Sequence, residues 1–118
     1  MQSKRKVYLS APISGRDLEK VRKKFKSAQI MFETAGYEVV NPMENGLPQD
    51  STTNQHMKRD VQLLTECNAI FMMDKWTHSQ GCYTEFVVAT AIGLEMIFES
   101  PMQEIILDEN KRFKTVFK

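Results

Sequence analysis

The chain has 118 residues, the length of one domain. With 42% hydrophobic and 26% charged residues it has a globular composition, which excludes a disordered chain. Sixteen Lys and Arg against fifteen Asp and Glu leave a net charge of +1, so general polyanion binding is not indicated, although residues 1–26 hold nine basic and two acidic side chains.

Lys6–Ser10, KVYLS, reads as a first strand, closed by Ala11-Pro12. From Asp17 to Ala35 the apolar residues Leu18, Val21, Phe25, Ala28, Phe32 and Ala35 recur in steps of three and four. They predict a helix that Gly36 stops, with the basic run Lys20–Lys26 on its solvated side. Tyr37–Asn41 is a second strand ended by Pro42, and a loop follows to Thr53. A second helix is predicted over 54–66, with Met57, Val61 and Leu64 facing inward. Asn68–Met73 is a continuous apolar run, as expected of a strand covered on both faces. Asp74–Gly81 is a polar loop, a third helix runs to Leu94, and a short strand covers 95–98. After Pro101 the pattern fits either a hairpin or a strand with a tail.

This alternation predicts a doubly wound α/β domain spanning 1–118, flavodoxin-like or Rossmann-like. Its parallel sheet has four to five strands between two helix layers. Ligands gather at the C-terminal ends of such strands, so the loops 11–16, 41–53 and 74–81 matter most. No apolar run approaches the ~18–20 residues that span a bilayer, and the opening MQSKRKVYLSAP lacks the apolar core of a secretory signal. Cys67 and Cys82 sit in apolar stretches, without zinc spacing or a disulfide framework. The expectation is a cytoplasmic protein without membrane attachment, metal or cofactor.

Glu85 is the only formally charged residue between Tyr83 and Leu94, on a segment apolar nearly all round and therefore expected to be mostly buried. A buried carboxylate must be paired, hydrogen-bonded or functional. Beside a ligand cleft it suits a nucleophile for an electrophilic sugar carbon, although acids are also common in first helical turns. Asp60, next to the inward-facing Val61, reads either as a surface charge paired with Lys58 or Arg59 or as a general acid or sugar anchor. The turn Ser14-Gly15-Arg16 precedes a helix N-terminus, where backbone N–H groups attract phosphate and an arginine adds a bidentate donor. It is neither a P-loop nor GxGxxG, and a plain connection serves equally. Ser79-Gln80-Gly81 opens the third helix and offers a second such nest. Tyr8 should point toward one face of its strand, where it also reads as a core aromatic. Trp76 either stacks on a base or covers the core, and Asp74 lies in the same loop. His56 and His78 have no partner at metal or triad spacing.

KVYLSAPISGR, GYEVVNP, RDVQLLTECNAIFMMDKW and SQGCYTEFVVATAIGL, in that order, resemble the nucleoside 2-deoxyribosyltransferase superfamily, and more narrowly a small bacterial and phage branch of it. The resemblance covers roughly residues 6–98. It implies a flavodoxin-like fold and cleavage of the N-glycosidic bond of a 2′-deoxynucleoside or its 5′-monophosphate, passing the sugar to water or to another base. Glu85 falls where the family places its nucleophile, Asp60 on its second carboxylate and Tyr8 on a tyrosine that positions the nucleophile. Ser79 stands where nucleotide-hydrolysing relatives contact the 5′-phosphate, and Ser14, Gly15 and Arg16 match their phosphate-side loop. Gly81, Asp74 and Trp76 complete the substrate-binding set. The resemblance also implies a homodimer or higher homo-oligomer.

The sequence thus predicts an N-glycosidase or deoxyribosyltransferase acting on a small nucleoside or nucleotide, not on nucleic acid. The competing expectation is a non-catalytic nucleotide-sensing module in which Glu85 is neutralised by a cation such as Lys75. The enzymatic reading requires Glu85 and Asp60 on one face of the fold.

Overall fold

The computed structural model describes residues 4–100, 103–107 and 113–117, the last two stretches by their backbone alone. Strands β1 (Lys6–Ser10), β2 (Glu38–Val40), β3 (Ala69–Met72) and β4 (Glu95–Phe98) form one parallel sheet in the order β2-β1-β3-β4. Helices α1 (Leu18–Thr34), α2 (Thr53–Thr65) and α3 (Gln80–Ala91) connect them. The doubly wound α/β fold is as predicted, at the four-strand end of the expected range. The segment 103–117 contains β5 (Gln103–Leu107) and β6 (Phe113–Phe117), an antiparallel pair forming a separate sheet, which settles the choice the sequence left open.

Strand parity divides the core. Val7 and Leu9 of β1 face α1 and pack with Val21, Phe25, Ala28 and Phe32, the stripe visible in the sequence. Tyr8 faces the opposite side, among Leu64 of α2 and Cys82, Phe86 and Ala89 of α3. Because α1 covers one face of β1, α2 and α3 cover the other, and β2 and β3 pair its edges, none of Val7 through Ser10 is exposed. Both cysteines are buried small residues, as expected.

The helix ends follow local chemistry. Asp17 caps α1 by accepting from the N–H groups of Glu19 and Lys20, and Thr52 forms a capping box with Gln55 at α2. Beyond α1, Gly36 adopts a φ of +95°, which a side chain would resist. The basic run of α1 is exposed, as its phase predicts. In contrast, α3 is not mostly buried. It buries Cys82, Glu85, Phe86 and Ala89 but leaves Thr84, Val87, Thr90 and Ala91 exposed, because only one of its faces meets the sheet and α2. Among the described residues no helix is long and apolar enough to cross a membrane.

Candidate active site

Two residues apart on β1, Tyr8 and Ser10 project to the same face of the sheet, beneath the first half of α3. The Tyr8 phenol donates to Oε2 of Glu85, and the Ser10 hydroxyl donates to Oε1 at 2.8 Å. Glu85 is only 6% exposed, and among the described residues no basic side chain forms a salt bridge with it. Lys75, the cation of the competing expectation, is exposed, so that neutralising pair is not what holds Glu85. Burial pushes the Glu85 carboxyl up to about 7, the two hydroxyl donors pull against that rise, and the charge of Asp60 adds to it. Burial and then the Glu85 charge hold the Tyr8 phenol well above its ordinary range, so it stays a donor.

Asp60 lies on the same face. α2 and α3 pack against each other, and both Glu85 and Tyr8 feel the Asp60 charge. It is 9% exposed rather than a surface charge, because its position on α2 turns it inward beside Leu64. Nδ2 of Asn45 donates to Asp60 Oδ1 at 2.9 Å and lies 3.0 Å from Nδ1 of His56. Burial raises the Asp60 carboxyl, opposed by the Asn45 hydrogen bond and then by the charges of His56 and Arg59. Arg59 donates its Nε–H to the Asn45 carbonyl at 3.1 Å, which pins the segment leaving β2 to α2.

At the start of α3, the Ser79 hydroxyl accepts from the Cys82 N–H at 3.2 Å and is the helix cap. Burial raises the Cys82 thiol, and the nearby hydroxyls of Ser10 and Ser79 pull against that rise. Gly81 is not part of an open nest. It lies within α3, where a Cβ would stand 3.3 Å from Cε of Met57, so its bareness lets α2 and α3 approach.

Two expectations need correction. Trp76 is 0% exposed and packs at 4.9 Å from Phe86 and 5.1 Å from Tyr83. It covers the core and presents no face on which a base could stack, since the turn Trp76–His78 directs it under α3. The N-terminus of α1 is not an open phosphate nest either, because the Asp17 carboxylate already takes two of its N–H groups. Ser14, Gly15 and Arg16 are exposed, with the Arg16 N–H bonded back to the Ile13 carbonyl at 3.2 Å. Asp74 is exposed at the C-terminal end of β3, its backbone N–H donating to Glu99 at 2.7 Å.

Sequence reasoning missed Ser10, Asn45 and the partner of His56. For Ser10 the signal was parity: a hydroxyl two positions after Tyr8 shares its face. Asn45 lies in the loop after β2, and nothing local marks it. A cavity of about 290 Å³ opens beside it, bounded by Val39 and Val40 of β2 and by Arg59 and Leu63 of α2.

A parallel α/β domain that buries a hydroxyl-held glutamate opposite a second carboxyl belongs to the superfamily its sequence resembles, the nucleoside 2-deoxyribosyltransferase-like proteins. Within it, the chain belongs to the family described as "Domain of unknown function (DUF4406)", whose profile matches residues 5–98. Curated protein sequences give no match. Among solved structures, the CMP N-glycosidase BcmB of Clostridium botulinum is similar, with a TM-score of 0.56 and 25% identity over 80% of this chain and 67% of that chain.

Proposed function

We propose that the protein cleaves the N-glycosidic bond of a nucleoside 5′-monophosphate, 2′-deoxynucleotides first among them, and passes the sugar to water or to another base. The observation that carries this reading is Glu85, a buried carboxylate held through both oxygens by neutral hydroxyls rather than quenched by a cation. The similarity to a solved CMP N-glycosidase supports the reaction class.

In this reading one oxygen of Glu85 attacks C1′ as the bond from C1′ to the base nitrogen breaks, and the bonding pair leaves with the base. Asp60, whose raised carboxyl retains a proton more readily, donates it to the departing base or holds the sugar hydroxyls. Tyr8 stays protonated and steadies Glu85. Water or an acceptor base then attacks C1′ of the glycosyl ester from the opposite face, restoring the carboxylate with net retention. Ser79 and the turn Ser14-Gly15-Arg16 hold the phosphate through side chains and the turn itself, and Asp74 borders the base. The functional unit is a homodimer or higher homo-oligomer.

The test incubates the protein with each of the four 2′-deoxynucleoside 5′-monophosphates and with CMP, with and without an acceptor base, and measures free base chromatographically. Base release that Glu85→Gln abolishes is the expected result. No release from any substrate, alongside retained nucleotide binding, overturns the enzymatic reading in favour of a sensor.

A further inference from the structure

We propose that Ser10 is a positioning residue for Glu85, its hydroxyl locking the plane of the carboxylate and favouring the ionised form by donating to Oε1. This rests on the proposed role of Glu85 as the nucleophile.

A carboxylate held by one donor can rotate about its terminal bond. Glu85 has two, one on each oxygen, from side chains fixed on an interior strand of the sheet. The spacing of β1 therefore sets the carboxylate plane, and each oxygen keeps a second lone pair for C1′. Ser10 is 1% exposed, so bulk water does not replace its hydrogen bond when Glu85 turns away. The hydroxyl owns one hydrogen. That hydrogen is committed to Glu85.

The groups facing this carboxylate are few. Tyr8 approaches from β1, Asp60 from α2 with His56 and Arg59 behind it, and Cys82 from α3 itself, with Lys24 of α1 acting on the thiol. Ser10 is distinct among them, being an uncharged donor that does not titrate. Its removal therefore changes the ionisation of Glu85 without removing a charge.

The test follows the protonation of Glu85 directly, by infrared difference spectroscopy of its carboxyl band (assigned with Glu85→Gln) in the wild type, Ser10→Ala and Ser10→Cys. The expected result is a Glu85 midpoint raised by about one pH unit in Ser10→Ala, and by less in Ser10→Cys because a thiol is the weaker donor. The acid limb of base release should move by the same amounts. Ser10→Cys keeps the test decisive if the alanine variant folds poorly. A midpoint unchanged in the variants overturns the proposal. Shifted midpoints in a protein that releases no base leave Ser10 in its role and overturn only the glycosidase reading.

Discussion

Nδ2 of Asn45 lies 2.9 Å from Oδ1 of Asp60, so an amide from the segment leaving β2 satisfies a carboxyl carried by α2. The same amide nitrogen lies 3.0 Å from Nδ1 of His56. Asn45 also accepts from the Leu47 N–H through its side chain and binds Arg59 through its carbonyl. Replacing Asn45 with Ala strips a buried carboxyl of its donor. The expected cost is about 1–3 kcal/mol of stability in urea denaturation. The Asp60 midpoint should rise further, because the lost hydrogen bond favoured the ionised form. An unchanged Asp60 titration would show that the amide does not tune it.

Glu85 makes stability depend on pH with a definite sign. Its carboxyl titrates at about 7 in the fold against 4.5 ordinarily, so between those values the folded state holds the proton that the unfolded chain has released. The contribution of Glu85 to stability is therefore greatest below about pH 4.5, falls as pH rises toward 7 and then levels off, a loss of about 3 kcal/mol. Asp60, also raised, contributes in the same direction. Urea midpoints measured from pH 4 to pH 8 should show this decline, and Glu85→Gln should remove most of it. A variant as pH-dependent as the wild type would assign the slope elsewhere.

Trp76 anchors the α2–α3 face through Phe86, Tyr83 and Phe98, at ring separations from 4.9 to 6.1 Å. Trp76→Ala should cost about 3–5 kcal/mol. Trp76→Phe, which keeps a ring in the same core, should lower the melting temperature while leaving KM for the nucleotide within about twofold. A large rise in KM without loss of stability would mean that the indole does meet the base.

The phosphate side is tested by substrate comparison. Arg16 is exposed and stands just before the Asp17 cap of α1. Arg16→Ala should reduce kcat/KM for a nucleoside monophosphate by about tenfold or more, and leave the unphosphorylated nucleoside unaffected. Equal losses on both substrates would remove Arg16 from the phosphate site.

Much of this arrangement was legible in the sequence because it depends on local periodicity. The stripe Val21, Phe25, Ala28 and Phe32 placed α1, and the apolar run before Asp74 placed β3 inside a parallel sheet. Glu85 stood out as the only charge on an apolar helix, and Tyr8 had a definite face because side chains alternate along a strand. Which groups meet across the fold was decided only by tertiary structure. Tyr8 and Ser10 reach Glu85 across 77 and 75 residues, a contact set by parallel register and by how α3 lies over β1. The Asn45–Asp60 bond depends on how the turn after β2 lies along α2. Competition for the same groups was equally hidden from the sequence. Asp17 takes the α1 amides that a phosphate could have used, and the core takes the Trp76 ring. Periodicity assigns a residue to a face; only packing determines which partner on that face reaches it first.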